Sequence, residues 1–199
     1  MGIIGIIGGI AAGKSFYTDI FESLGAGIFK ADEVAHDVLN LKSVKRKALE
    51  RWGDGVINAD GTVNRSALAK IVFQKTEDSN KERAYLESII FPLVKRRFQN
   101  FQKKCKEKNV KYVILDAALL LESGWDAMCD SVVFVDTPES VRQQRAKLRG
   151  WTKSEFKARE AAQLSLDEKK KRAQFTLDGV APKQDAVAAV KKLLKQLRC

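Results

Sequence analysis

Gly8-Gly9-Ile10-Ala11-Ala12-Gly13-Lys14-Ser15 fits the spacing GxxxxGK[ST] without a mismatch. Glycines so spaced let backbone N–H groups turn inward around phosphate oxygens, and a helix N-terminus behind them adds positive potential. In such a loop the lysine, here Lys14, reaches the β- and γ-phosphates, and the hydroxyl of Ser15 ligates Mg²⁺. The alternative is an ordinary glycine-rich turn. The flanks weigh against it: the β-branched run Ile3-Ile4-Gly5-Ile6-Ile7 precedes the loop, and an amphipathic stretch from Ser15 to Leu24 follows.

Other groups suit the chemistry of a bound phosphate less specifically. Asp116 closes the apolar run 111–116, where a carboxylate could hold a magnesium-bound water beside Ser15; a helix N-cap or a solvated strand end explains it equally well. Asp136 closes a similar run but reads with Thr137-Pro138 as a capped helix start, and no chemistry is assigned to it. Asp32 follows a weaker apolar run and could accept a proton from an attacking hydroxyl, with His36 one helical turn on. Arg142, Arg145 and Arg149 share one helix face and could neutralise charge on a transferring phosphoryl group, or be a plain exposed basic face.

These residues need a scaffold that brings strand ends together. Runs at 3–7, 25–29, 111–116, 131–136 and 174–178 read as strands, and helical patterns lie between them at 15–24, 65–73, 92–108, 138–148 and 184–197. Pro92 is expected in the first turn of its helix. Strands alternating with helices imply an α/β fold: an open parallel sheet of about five strands flanked by helices. The boundaries expected are a nucleotide-binding core at 1–31, 110–140 and 172–199, a helical substrate-binding insertion at 32–109, and a helical lid at 141–171. A solvated helix pair is the plainer reading of the last segment.

Composition narrows the partners. The 199 residues are 45% hydrophobic and 31% charged, enough for a real core, and the formal net charge is +11. A basic surplus suits anionic partners: nucleotides, nucleic acid or an acidic membrane surface. Basic clusters at Lys95-Arg96-Arg97 and Lys169 to Arg172 carry little aromatic interleaving, so a nucleic-acid stacking platform is not expected. Cys105, Cys129 and Cys199 stand far apart and there is one histidine, which argues against disulfides and zinc and for a reducing cytoplasm. The apolar opening is too short to span a bilayer, so no membrane partner is expected.

With these motifs in order, the sequence resembles the dephospho-CoA kinase family over nearly its whole length. Residues 8–15 carry the first match. Ala31-Asp32-Glu33-Val34-Ala35-His36 is similar to the family's Asp-Ala-Asp segment. The most discriminating part is Trp52-Gly53 with Asp60-Gly61-Thr62-Val63-Asn64-Arg65 and Leu68 to Phe73. Leu86 to Val94, Leu119-Leu120-Leu121-Glu122, Arg145, Arg149 and Gln163 follow in register. Four positions depart from the pattern: Lys30 for Asp, Phe91 for His, Ala118 for Pro and Asp178 for Asn.

The resemblance implies ATP-dependent phosphorylation of the ribose 3′-hydroxyl of dephospho-CoA, with Mg²⁺. Catalysis falls to Asp32 as base and to Lys14, Arg145 and Arg149 as charge stabilisers. ATP would contact Gly8, Gly9, Ile10, Ala11, Ala12, Gly13, Lys14, Ser15 and Phe16, with Asp178 at the adenine. The acceptor would meet His36, Arg65, Phe91, Leu119 and Glu122; the metal would sit on Ser15 and, through water, Asp116. A monomer or weak homo-oligomer is expected. The nearer rival is a P-loop kinase acting on a nucleoside monophosphate; the farther one is a non-enzymatic nucleotide- or nucleic-acid-binding module. No Asn-Lys-x-Asp guanine motif is present to favour a switch GTPase.

Overall fold

The computed structural model describes residues 1–74 and 76–197, so Cys199 lies outside the described residues. Two compact units divide the chain: residues 1–30 with 102–199, and residues 31–101. The first is built on five parallel strands: β1 Gly2–Gly8, β2 Gly27–Lys30, β3 Tyr112–Asp116, β4 Ser131–Asp136 and β5 Phe175–Asp178. Their order is β2-β3-β1-β4-β5, so β1 is central. Burial on both faces explains their continuous apolar runs: Ile4, Ile6, Ile7, Val113, Ile114, Leu115 and Val132 to Val135 are all buried. On one face, α1 (Lys14–Ser23) and α9 (Lys183–Gln196) pack Tyr17, Ile20, Phe21, Val190 and Leu193 against Ile4, Ile6, Ile114 and Val133.

Parallel register gathers the chemistry at one edge. Asp116 lies opposite Ile6, and Gly8 opposite Val135. Asp136 is opposite Asp178, and Lys30 opposite Asp116. The carboxyl ends of all five strands therefore share the side on which ligands bind in open α/β sheets.

The second unit contains α2 (Ala31–Leu39), α3 (Lys42–Trp52), α4 (Arg65–Val72) and most of α5 (Glu77–Glu107). Here the expectation for Pro92 was wrong: it lies inside the 31-residue α5, not at a helix start. An interior proline costs about 3 kcal/mol. Ile90, Val94 and Phe98, one helical turn apart, are buried on one face. Each such burial gives roughly 1.5–3 kcal/mol, so continuing the helix wins. The stretch 52–65 proves to be scaffold. Trp52 Nε1 donates to Glu82 (2.7 Å), Arg51 grips the same carboxylate (2.7 and 3.0 Å), and Asn64 caps α4 by accepting from Ala67 N (3.0 Å).

Residues 139–172 form three helices, α6 (Glu139–Leu148), α7 (Lys153–Glu160) and α8 (Leu166–Arg172), rather than a pair. Thr152 with Glu155 and Ser165 with Glu168 make two capping boxes that start α7 and α8. No helix among the described residues is long and apolar enough to cross a membrane.

Cys105 and Cys129 are free thiols. Burial, then Asp126 and Asp130, pushes the Cys129 thiol up to about 12; burial also raises Cys105. The thiolate is the nucleophile, so at mildly alkaline pH both should stay protonated and inert. Native protein treated with iodoacetamide should be unlabelled at both positions by peptide mapping, and labelled once denatured. Fast native labelling of either would contradict this.

Candidate phosphate-binding site

The loop between β1 and α1 owes its shape to its neighbours. Gly13 has φ 95° and Ala11 φ 58°, both in the left-handed region; only the first is free of Cβ strain. The Ala12 carbonyl accepts from the Thr137 hydroxyl (2.7 Å) and from Arg145 Nη1 (3.0 Å); the Ile10 carbonyl accepts from Arg142 Nη1 (3.5 Å). In a trans peptide the following N–H points opposite to the carbonyl. Tying back the carbonyls of residues 10 and 12 therefore turns the N–H groups of Ala11 and Gly13 the other way, free for an anion. Behind them α1 begins without a side-chain cap and without an acidic residue in its first turn, so its N-terminal potential is uncompensated. Lys14 and Ser15 are its first two residues; the Phe16 amide is already used, donating to Gly13 O (3.1 Å). Phe16 itself is 38% exposed.

The arginine row on α6 splits into three roles. Arg142 is 2% exposed and paired with Glu160 (2.5 Å), with Nε donating to Thr137 O (3.1 Å). Arg145 spans Ala12 O and Gly179 O (2.8 Å), neutral partners that leave its positive charge uncompensated. Arg149 is exposed at the helix end, 5.9 Å from the Trp151 ring. Gly179 has no room for a side chain: a Cβ there would overlap the Thr137 hydroxyl and approach the Ala12 and Asp136 carbonyls at 2.9 Å.

Oxygen donors sit nearby. Ser15 is exposed, and Asp116 ends β3 beside β1. Among the described residues no cluster of three His, Cys, Asp or Glu could hold a metal unaided. A hydroxyl and a carboxylate are a fit donor set for Mg²⁺, which favours oxygen and otherwise keeps waters and substrate phosphates as ligands.

At the outer side of the sheet edge, Asp136, Pro138, Thr176, Asp178 and Val180 line an open depression of about 440 Å³. Asp178 Oδ1 accepts from Val180 N (2.9 Å), and its carbonyl accepts from the Tyr17 hydroxyl (2.6 Å). Asp136 accepts from Lys170 Nζ (2.8 Å).

In the helical unit Asp32 is exposed in the first turn of α2, two residues past the end of β2. Burial and the Arg65 guanidinium lower the His36 pKa, while Asp32, Asp37 and Glu33 oppose them. Asp32 and Arg65 are thus each within electrostatic reach of His36. Phe91 is half-buried on α5.

Leu119 and Glu122 follow β3 in a turn. Leu119 is half-buried, and Glu122 Oε1 accepts from Leu164 N (2.8 Å) and faces Lys169 Nζ at 3.4 Å. Lys169 is 2% exposed and donates to Gln163 Oε1 (2.6 Å). The sequence shows Lys169 only as part of the basic cluster Lys169 to Arg172; the structure buries it. It also missed Thr137, Glu160 and Gly179. The Gly after Asp178 was a visible signal; Lys169 inside Lys-Lys-Lys-Arg gave none.

A sequence model of the dephospho-CoA kinase family matches residues 2–184. A dephospho-CoA kinase of Symbiobacterium thermophilum is 37% identical over 181 residues, covering 89% of this chain and 74% of its own. One from Dehalococcoides mccartyi is 29% identical over 197 residues, covering 98% of both chains. The crystal structure of TT1252 from Thermus thermophilus has a TM-score of 0.83 at 28% identity, covering 98% of this chain and 97% of that one. A phosphate-loop kinase architecture carried on a match this complete settles the kinship: the chain belongs to the dephospho-CoA kinase family, whose members are ATP-dependent kinases.

Proposed function

We propose that the protein transfers the γ-phosphoryl group of ATP to the ribose 3′-hydroxyl of dephospho-CoA, the last step of coenzyme A synthesis. The observation that carries this reading is the loop 8–15, with the carbonyls of Ile10 and Ala12 held outward at an uncapped helix start, in a chain of this family. The freed amides and Lys14 cradle the β- and γ-phosphates. The base lies toward the depression at Asp178, whose carboxylate can accept from an adenine amino group. Ser15 and, through water, Asp116 would hold Mg²⁺, which would neutralise charge on the phosphate oxygens.

Asp32 orients the acceptor hydroxyl and takes its proton as the oxygen attacks in line; Lys14, Arg145 and Arg149 stabilise the charge passing to the leaving diphosphate. Residues 32–109, with His36, Arg65 and Phe91, receive dephospho-CoA, and Leu119 and Glu122 border it. Residues 141–171 act as a lid that excludes water and so suppresses ATP hydrolysis. The net charge of +11 steers two polyanionic substrates. We assign the protein to the cytoplasm on the free thiols Cys105 and Cys129, as a monomer or weak homo-oligomer.

The test is a product assay with ATP, Mg²⁺ and alternative acceptors. Dephospho-CoA should be phosphorylated on its ribose 3′-oxygen, located by mass spectrometry, and far faster than AMP. Preference for AMP, or no transfer to either, would reject the assignment.

A further inference from the structure

Lys169 is a buried cation that the mechanism above does not use. Its neighbours satisfy it incompletely. An ammonium has three N–H donors. One goes to Gln163 Oε1 (2.6 Å); Glu122 Oε1, which already accepts from Leu164 N, faces the ammonium only as an ion-pair contact at 3.4 Å. Among the described residues no other acceptor meets the ammonium. Glu122 Oε2 is also buried without a hydrogen-bond partner, so the carboxylate is poorly spent on this pair. Burying a charge so loosely compensated is costly unless a further counter-charge arrives.

The surroundings say what sign that charge has. Leu166, one turn before Lys169 on α8, lies on the phosphate loop: a Cβ at Gly9 would meet Leu166 Cδ2 at 3.0 Å and Arg142 Nη1 at 2.9 Å. Residues three apart share a helix face, so Lys169 is directed the same way. Burial above all disfavours its charge and Glu122 opposes this, while Lys14 and Arg142 are both near enough to add to the disfavour. Four cations, Lys14, Arg142, Arg145 and Lys169, lie near the loop against two carboxylates, Glu160 on Arg142 and Glu122 on Lys169, which leaves a surplus of positive charge there.

We propose that Lys169 is a further phosphate ligand of the nucleotide site: Glu122 and Gln163 hold its ammonium beside the loop, and its remaining N–H meets the terminal phosphate of ATP. This rests on the reading of residues 8–15 as the ATP site. Lys169 then distinguishes a triphosphate from a diphosphate, since ADP lacks the group it meets.

The pair variant Glu122→Gln/Lys169→Met separates this from charge balance alone. Removing both charges leaves neither partner buried and unpaired, so the melting temperature should stay near that of the wild type, whereas Lys169→Met alone should lower it. Direct binding should show the wild type preferring ATP over ADP, and the pair variant losing roughly tenfold or more of that preference, with ADP affinity kept. Its kcat should fall by about 10²-fold. An unchanged ATP-to-ADP ratio, or kcat restored along with stability, would overturn the proposal and leave Lys169 as a neutraliser of Glu122. A wild type that binds no ATP would instead sink the reading of the loop. Should the pair variant fail to fold, Glu122→Gln/Lys169→Gln is measured and judged the same way.

Discussion

Lys14→Ala should lower kcat by roughly 10³-fold and raise KM for ATP, while the protein stays folded. Lys14 opens α1, at a helix start with neither side-chain cap nor acidic partner. Its ammonium is thus left to an incoming anion, and a preorganised charge at developing negative charge is worth about 10²–10³ in rate when removed alone. The loss should sit at this end, because Arg145 is already tied to Ala12 and Gly179 and cannot swing in as a substitute without releasing the loop. Alanine is the best helix former, so α1 should persist and the circular dichroism spectrum should be unchanged. Near-normal steady-state kinetics for this variant would reject the phosphate assignment.

Asp32→Asn should leave ATP binding intact and cut kcat by about 10²–10⁴-fold, the range for losing a general base. The substitution preserves shape and removes only the charge and the proton acceptor. Asp32 is exposed in the first turn of α2, where a carboxylate complements the helix dipole, an interaction worth about 0.3–1 kcal/mol. Isothermal titration with ATP and single-turnover transfer to dephospho-CoA separate the two effects. Unchanged turnover would remove Asp32 from the chemistry.

What the sequence revealed was local. The loop 8–15 is a contiguous motif whose flanking strand and helix are written beside it, and continuous β-branched runs mark strands buried on both faces. The acids at 116 and 136 could be placed at strand ends for the same reason. What escaped depends on distant neighbours. Nothing in the arginine row at 142, 145 and 149 says that the first is buried against Glu160 and the second grips two carbonyls 34 residues or more away. Lys169 looks like its exposed neighbour Lys170; only the tertiary position of α8 distinguishes them. Pro92 misled because local preference for a helix start is weaker than the burial of Ile90, Val94 and Phe98. The stretch 52–65 carried the family resemblance through residues that hold the helical unit together, such as Trp52 on Glu82 of α5.

The outward hold on the Ile10 and Ala12 carbonyls has an entropic side. Residues 10–13 have their dihedral freedom removed by Thr137, Arg142 and Arg145 during folding, not during ligand capture. Ordering a backbone residue costs roughly 1–2 kcal/mol, and a receptor that has already met this cost keeps its contact energy for the triphosphate. The left-handed backbone at Ala11 is maintained by the same grip, so the strain is carried by the resting enzyme and adds nothing to the work of each turnover.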